Sequence, residues 1–472
     1  MLRRLTAFLL FAMAIPAFTD AQQKTDYPED YLTPAFHAGR RAAVKEMMPA
    51  KSVAIFFASQ VRNRNNDVDY IFAQNKNFYY LTGLDEPNAM LLLFKEPVTI
   101  NDKTGTEFIF VQPRNPSREM WTGKILGAEG VRERYKLDNV FTHEQFNTNT
   151  LDLGKVDTVL TSFRNENIIA KYYPQGRGGT QMDPLSRMAS VVDSLLTATG
   201  KPFRSPARIL STLRSVKQPE EIVLITKATE MSAEGHTAVM KAAKPGMTEY
   251  QAQAVMEYYF KKNGSEYPGY PSINGSAENS CVLHYETNQR LMKDGDLLLS
   301  DCAAEYHGYS SDVTRTIPVN GKFTPEQKAI YEIVLEAQDS AFVLCKPGSA
   351  SNEPHMAAQR VIARGLAKLG IITDANDNTQ VRTYFPHGTS HGLGLDVHDP
   401  NPARLVPGAI FTVEPGIYIA PGSKCDKKWW NIGVRIEDDI LITADGHKNL
   451  SAGAPRTVAD VEKAMKQKSI FD

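Results

Sequence analysis

The sequence predicts a mixed α/β protein, with a smaller α/β domain at residues 24–206 and a larger α+β domain at residues 207–465. Two observations lead to this division. Strand-like and helical runs alternate through the first region, which ends at the proline-containing stretch Lys201–Pro206. A pattern of two helices followed by strands then occurs twice in the second region. A chain of 472 residues is long enough for two to three domains.

Residues 1–21 have the pattern of a secretory signal peptide. Arg3 and Arg4 precede a short apolar run that ends at Phe18, and the small residue Ala21 marks the expected cleavage site. The run is shorter than the roughly 20 residues that a membrane-spanning helix needs, which disfavours a retained anchor. We therefore expect an exported protein, periplasmic or secreted, with no stable membrane insertion after cleavage.

The composition is that of an ordinary globular protein. Apolar residues make up 42% of the chain, and 53 basic residues balance 54 acidic ones, for a net charge of −1. This balance gives no basic surface of the kind that binds nucleic acid, so we expect no nucleic-acid partner. The four cysteines form no CxxC pair and are expected to be small buried residues, although disulfides stay possible in an exported protein.

In the first region, apolar runs at Ser52–Ala58, Met90–Phe94 and Glu107–Val111 predict strands, with helical stretches between them. The polar, glycine-rich segment Gln175–Gln181 predicts a surface loop.

The first helix pair of the second region begins at Pro219, whose ring suits the first turn of a helix. The first helix ends near Lys244, and Thr248 and Gln251 then form a predicted capping box at the start of the second. Apolar residues at helical spacing follow as far as Gly264.

The same order recurs about a hundred residues later. Thr324 and Gln327 predict a helix start, and a second helix ends near Gly370. His284 follows Gly264 by 20 residues, and His391 follows Gly370 by 21. These matching positions predict a duplicated helix–helix–sheet unit whose two halves meet at one site.

Asp301 ends an apolar strand-like run in the first half, and Asp312 follows a turn marked by Gly308. A chain reversal between Tyr306 and His307 places the two acids opposite each other, about 5 Å apart at Cβ. Two carboxylates at that distance repel each other unless a cation lies between them. The pair therefore predicts a metal site rather than two exposed acids.

The second half supplies Glu414 and Glu437, again in strand-like surroundings. Alternation along the strand puts Arg435 on the same face as Glu437, where it is expected to orient a metal ligand. His387, His391 and His398 lie in one glycine-rich segment. One histidine with four carboxylates is an oxygen-rich donor set, which suits a pair of Mn(II), Co(II) or Zn(II) ions.

These residues lie in segments that resemble the metallopeptidases of the pita-bread fold, and among them the aminopeptidase P family. The resemblance rests on the strings CVLHY, LLLSDCAAEYHGYSSDVTRTIPVNGKFT, PHGTSHGLGLDVHD, FTVEPGIYI and GVRIEDDILIT. Two upstream strings, RNRNNDVDYIFAQNKNFYYLTGLDEPNAMLLL and RNPSREMWTGKILG, resemble the N-terminal domain of that family. The resemblance covers nearly the whole mature chain and implies a pseudo-twofold pita-bread catalytic domain behind that smaller domain.

The resemblance implies removal of the N-terminal residue from peptides with proline at the second position. It implies two divalent ions per chain, Mn(II) above Zn(II) or Co(II), with Asp301 on one ion and Asp312 and Glu437 bridging both. His391 and Glu414 would complete the metal site around a bridging water. His284 and His398 match active-site histidines of the family, and Arg435 matches its arginine beside the metal ligands. His387 falls within the same matched segment and is expected to bind substrate. A homo-oligomer, dimer or tetramer, is also implied.

Two other functions remain open at this point. A prolidase, which cuts only Xaa-Pro dipeptides, shares the metal-binding strings, and the upstream strings favour aminopeptidase P over it. A non-catalytic pita-bread module that binds peptides should have lost metal ligands, whereas all five are present here. Gly392 stands where family members usually carry a bulky residue, which leaves the shape of the substrate pocket open. The role of the loop Ala420–Asn431 also stays open.

Overall fold

The structure, a computed structural model, describes residues 30–162, 168, 172–175 and 179–471. The predicted signal peptide at residues 1–21 lies outside this range. All elements belong to one unit, Leu32–Asp472. A search of the described residues finds no helix with the length and apolarity needed to cross a membrane.

The N-terminal region contains a mixed six-stranded sheet with helices around it. Its elements are α1 (Pro34–Met47), β1 (Ser52–Phe57), β2 (Asn63–Asn65), β3 (Val68–Asp69), α2 (Lys76–Thr82), β4 (Met90–Ile100), β5 (Lys103–Val111), α3 (Pro116–Thr122), α4 (Gly127–Tyr135), β6 (Val140–Thr142), β7 (Thr158–Thr161), β8 (Tyr172–Gln175), β9 (Gly179–Met182), α5 (Pro184–Thr199) and β10 (Phe203–Arg204). The sheet order is β10-β7-β1-β4-β5-β6. The three strands predicted from the apolar runs are therefore confirmed as β1, β4 and β5.

The central strand β1 is buried along its whole length, because both faces of the sheet are covered. Val53, Ile55 and Phe57 pack into one apolar cluster, and Ala54 and Phe56 into the other. Alternate residues of β1 therefore pack into two different cores, because successive side chains of a strand point to opposite faces of the sheet.

The loop predicted at Gln175–Gln181 is wrong where the structure describes it. Gln175 and Gly179 pair at the turn end of an antiparallel hairpin formed by β8 and β9. Pairing between strands satisfies the backbone here, which the polar composition alone does not reveal.

The C-terminal region follows the connecting helix α6 (Ala207–Arg214). Its elements are α7 (Pro219–Ala242), α8 (Glu249–Lys262), β11 (Tyr267–Pro268), β12 (Ile273–Ser276), β13 (Leu297–Asp301), β14 (Ala304–Tyr306), β15 (Tyr309–Ser310), β16 (Thr314–Pro318), α9 (Pro325–Phe342), α10 (Glu353–Lys368), α11 (Asn378–Tyr384), β17 (Ile410–Val413), β18 (Gly416–Ile419), β19 (Ile432–Arg435), β20 (Asp438–Ile442), β21 (His447–Asn449) and α12 (Val458–Ala464).

The predicted duplication is visible in this element order. Each half begins with a packed helix pair, α7 with α8 and α9 with α10. Each continues into a three-stranded antiparallel sheet, β12-β13-β16 in the first half and β17-β20-β21 in the second. At the start of α9, the Gln327 amide donates to Thr324 Oγ1 at 3.2 Å and the Gln327 side chain accepts from the Thr324 amide at 3.0 Å, so the predicted capping box is formed.

Candidate metal centre and active site

The two halves contribute carboxylates at equivalent places. In the first half Asp301 ends β13, the hairpin β14–β15 follows, and Asp312 comes two residues before β16. In the second half Glu414 follows β17, the hairpin β18–β19 follows, and Glu437 comes directly before β20. The halves join where the Glu437 amide donates to Thr314 O at 3.1 Å. All four acids therefore meet along one seam.

The predicted register, with Asp301 directly opposite Asp312, is wrong. The prediction that the two acids share one face of the sheet is right. Asp301 lies opposite Thr314, because the hairpin turns at His307 and Gly308. Both turn residues have positive φ, 49° and 87°, as a two-residue hairpin turn requires. The shift of two positions leaves Asp312 diagonal to Asp301 on the same face of the sheet.

The five predicted ligand side chains lie close together. His391 Nε2 is 3.4 Å from Asp312 Oδ2 and 3.6 Å from Glu414 Oε1. One donor atom each from Asp312, His391 and Glu437 lies within 4.8 Å of the others. Asp301 joins this group through the hydroxyl of Tyr270, which is 2.5 Å from Asp301 Oδ1 and 2.6 Å from Asp312 Oδ1.

Arg435 is buried beside this group and holds one of its carboxylates. Its guanidinium donates to Asp301 Oδ2 at 2.5 Å, to the Tyr418 hydroxyl at 2.9 Å and to Thr314 Oγ1 at 3.2 Å. Thr314 in turn donates to Glu437 Oε2 at 2.6 Å. A planar guanidinium that donates to three acceptors restricts the orientation of the Asp301 side chain.

The electrostatics of the group show a surplus of negative charge. Burial, with the nearby carboxylates, raises the pKa of Glu414 to about 7 and raises the pKa of Glu437 well above its usual range. Burial also raises the pKa of Asp312, although its hydrogen bond from His391 opposes this. Burial lowers the pKa of His391, but the hydrogen bond and charge of Asp312 outweigh it and hold the value at about 9. Cations at this place would relieve the repulsion.

His391 presents Nε2 to the carboxylates, because its Nδ1 lies 3.0 Å from Gly392 O. Its ring centroid is 4.0 Å from that of His398, which is exposed to solvent. Partial burial lowers the pKa of His398, and the nearby charges of His391 and His284 add to this effect. His284 is also exposed, and it lies close enough to His398 for its charge to act on that imidazole.

His387 lies at the edge of the group. Its Nε2 is 2.8 Å from the Tyr418 hydroxyl, and its Nδ1 is 3.7 Å from Glu414 Oε2. Burial and the charge of Arg435 lower the pKa of His387 to about 4, which keeps the imidazole neutral near pH 7.

Comparison with known proteins agrees with this geometry. Residues 223–444 match the model of metallopeptidase family M24, and residues 37–160 match that of the aminopeptidase P N-terminal domain. The Xaa-Pro aminopeptidase of Escherichia coli K12 is 36% identical over 447 residues, which are 91% of this chain and 97% of that protein. The chain belongs to the Xaa-Pro aminopeptidase family. It is therefore a metallo-exopeptidase, a hydrolase.

Solved structures of the family share the fold of this chain. Pseudomonas aeruginosa aminopeptidase PepP superimposes with a TM-score of 0.81 at 35% identity, covering 92% of this chain and 98% of the other. Escherichia coli aminopeptidase P with the inhibitor Pro-Leu gives a TM-score of 0.82 at 34% identity and the same coverage. The predicted combination of an N-terminal domain and a pita-bread catalytic domain is thus confirmed.

Sequence reasoning missed two tyrosines of this Xaa-Pro aminopeptidase family member. Tyr270 lies in irregular chain between β11 and β12, and Tyr418 lies in β18. Both hydroxyls are bonded within the group of charged residues, so both side chains help to order it. The only sequence signal for Tyr270 is its position between Gly269 and Pro271, which is typical of a turn rather than of a binding site.

Two features that the sequence left open now have a structural description. Any Cβ added to Gly392 would collide with the carbonyl oxygens of Asp399 and Pro400, so this chain has no room for a side chain there. In the loop Ala420–Asn431, Trp429 is buried and Trp430 Nε1 donates to Ser423 O at 3.1 Å. The loop is thus anchored by its own contacts.

Proposed function

We propose that this enzyme removes the N-terminal residue from peptides with proline at the second position, using two divalent ions held by five side chains. Those side chains are Asp301, Asp312, His391, Glu414 and Glu437. The observation that carries the proposal is the convergence of four carboxylates and one imidazole from both halves on one buried seam.

The donor set fits divalent ions. Four carboxylates around one imidazole carry more negative charge than Arg435 and His391 can balance, as the raised pKa values of Glu414 and Glu437 indicate. Oxygen-rich sets of this kind favour Mn(II), with Zn(II) and Co(II) as further candidates. When bound, such a pair activates water at neutral pH and stabilises negative charge on the scissile carbonyl oxygen.

The remaining residues have roles that follow from their contacts. Arg435 orients Asp301, and the bond from Nδ1 to Gly392 O fixes the ring of His391. His398 and His284 stand exposed beside the metal ligands and are proposed to move protons or to donate to the developing oxyanion. His387 is neutral and is proposed to contact substrate.

The substrate is proposed to be a tripeptide or longer rather than a dipeptide. A dipeptidase needs a cation to hold the carboxylate of proline, commonly a bidentate arginine. We assign this role to neither of the two arginines that flank the histidine segment. Arg382 is exposed on α11, and exposed Arg404 donates to Gly348 O at 2.9 Å. The inhibitor Pro-Leu bound by Escherichia coli aminopeptidase P also carries a residue beyond proline.

We further propose a homo-oligomer, dimer or tetramer, in an exported setting. Met120 and Trp121 on α3 are 88% and 85% exposed, and such apolar side chains favour burial against a second copy. Arg3, Arg4 and the apolar run up to Phe18 support export to the periplasm or beyond. Sedimentation of purified protein tests the first proposal, and N-terminal sequencing of protein from the extracytoplasmic fraction tests the second.

The experiment for the main proposal is product analysis by mass spectrometry. Matched Xaa-Pro-Yaa tripeptides, Xaa-Ala-Yaa tripeptides and Xaa-Pro dipeptides are incubated with the protein, with and without added Mn(II). We expect release of the first residue from the proline tripeptide and slower cleavage of the Xaa-Pro dipeptide. Replacing proline by alanine at the second position should greatly lower kcat/KM, because the proline imide lacks an N–H and its ring fixes φ. Faster cleavage of the dipeptide would favour a prolidase.

A further inference from the structure

A buried ion network lies behind the histidine segment, outside the proposed metal ligands. The Asp399 carboxylate accepts from Lys217 Nζ at 3.0 Å on one oxygen and from Arg214 Nη2 on the other. The side chains of Asp399 and Lys217 are each 1% exposed, and that of Arg214 is 6% exposed. Burying three charged groups costs free energy unless they are paired, so the arrangement constrains all three positions.

Asp399 closes the segment that carries two of the functional histidines. Its amide donates to Gly392 O at 2.8 Å, and the Leu393 amide donates to Ile410 O at 3.0 Å. Residues 391–399 therefore fold back on themselves and stay attached to β17. His398 directly precedes Asp399, and its ring lies 4.0 Å from that of His391.

The segment leaves no room to shift toward the network. A Cβ on Gly394 would collide with the Asp399 carboxylate and with Cε of Lys217. The backbone at Gly394 therefore packs directly against the Asp399–Lys217 ion pair, with no side chain between them.

The network also reaches the N-terminal region. Arg214 lies at the end of α6, and its Nη1 donates to Asn77 Oδ1 in α2 at 2.7 Å. The same guanidinium donates to Asp396 Oδ2 at 2.6 Å. One arginine therefore connects a helix of the N-terminal sheet region to two residues of the histidine segment.

We propose that Asp399 is a positioning residue for His398, fixed by Lys217 and by the Asn77–Arg214 contact from the N-terminal region. This inference rests on the proposed function through the role given to His398. Asp399 touches neither substrate nor metal in this role. It holds the backbone that sets the distance and angle of the His398 ring.

The test uses Asp399→Asn in the full-length, metal-loaded protein, with a tripeptide of the Xaa-Pro-Yaa type as substrate. A misplaced catalytic group typically costs up to about 100-fold in rate, so we expect kcat to fall roughly 10- to 100-fold. KM and the metal content should stay near the wild-type values, because the ligands are untouched. Hydrogen exchange should show faster exchange in the peptide that covers residues 391–400.

The chain supplies a matched control. Glu107 also lies between an arginine and a lysine, 2.7 Å from Arg41 Nε and 2.6 Å from Lys45 Nζ, but it belongs to the N-terminal sheet. Glu107→Gln therefore removes a carboxylate that pairs with the same two residue types, although Glu107 is 23% exposed and Asp399 only 1%, and it does so away from the histidines. Its kcat and its exchange at residues 391–400 should match the wild-type protein.

A second variant separates positioning from stability. Asp399→Asn removes the carboxylate that pairs with Lys217, a buried lysine whose pKa burial already lowers, so the single variant is expected to lose thermal stability. Asp399→Asn combined with Lys217→Met removes both charges and should recover thermal stability while kcat stays low. Recovery of kcat together with stability would overturn the positioning role, and so would wild-type exchange in the single variant.

The proposed function and this inference can fail separately. Wild-type protein that cleaves no Xaa-Pro peptide would refute the proposed function. Hydrogen exchange at residues 391–400 would then still decide whether Asp399 holds the segment.

Discussion

Removing Arg435 should destabilise the metal-free protein far more than the metal-loaded protein. The guanidinium is 4% exposed and makes three side-chain hydrogen bonds, including the contact with Asp301. Hydrogen bonds of charged groups contribute about 1.5 kcal/mol each at the low end of their range, which gives about 4–5 kcal/mol for three. Loss of one partner from a buried ion pair costs a similar 3–5 kcal/mol. We therefore expect Arg435→Met to lower the free energy of unfolding by about 4 kcal/mol without metal.

Bound metal should make the loss of unfolding free energy in Arg435→Met smaller, because two divalent ions would neutralise the carboxylates whose charge Arg435 balances in the metal-free protein. The assay is urea denaturation of both proteins, with chelator and with saturating Mn(II). Arg290→Met is the control, because Arg290 also makes a close ion pair, 2.5 Å from Asp296 Oδ2, and its loss should not depend on metal. An equal loss for Arg435→Met in both conditions would refute the electrostatic account of this arginine.

Three further outcomes are expected. Asp312→Ala should remove most bound metal as measured by elemental analysis, and chelation should abolish wild-type activity; full activity in chelator would contradict the proposed site. Alanine at His398 or His284 should lower kcat by about 10²–10³ with near-normal metal content, whereas loss of an ion in the His398 variant would make that residue a ligand. Metal-free protein should lose stability as pH rises. The pKa of His391 is about 9 in the folded protein and 6.5 in the unfolded chain, so the stability that this group contributes is complete below pH 6.5 and is lost as the pH rises through 9. The pKa of Glu414 is raised from 4.5 to about 7 by folding, so its contribution to stability is likewise lost as the pH rises from 4.5 to 7. Denaturation from pH 5 to 9 checks this, and a flat profile would contradict it.

The sequence predicted well those features that depend on local chemistry. The helix starts at Pro219 and Thr324 follow from their caps, and acids at the ends of apolar strands follow from the cost of burying a lone carboxylate. Both kinds of signal lie within a few residues of the feature that they predict.

Features that depend on contacts between distant segments could not be predicted in this way. The residue opposite Asp301 depends on which two residues form the hairpin turn. Gly308 in the sequence is compatible with a turn at Tyr306 and His307, as predicted, or at His307 and Gly308, as observed. Tyr270 contacts Asp301 from an irregular segment, and such a segment has no sequence periodicity from which the contact could be predicted. The pairing of Asp399 with Lys217 joins residues 182 positions apart, with no local pattern at either end.

The division of the proposed ligands for two ions between the two halves has a consequence for the order of folding. Asp301 and Asp312 come from the first half, and His391, Glu414 and Glu437 come from the second. Neither half holds enough donors for a pair of ions, so the complete site can exist only after the two halves have docked. Tight capture of metal should therefore be a late event in folding, and the appearance of activity should report that the last long-range contacts have closed.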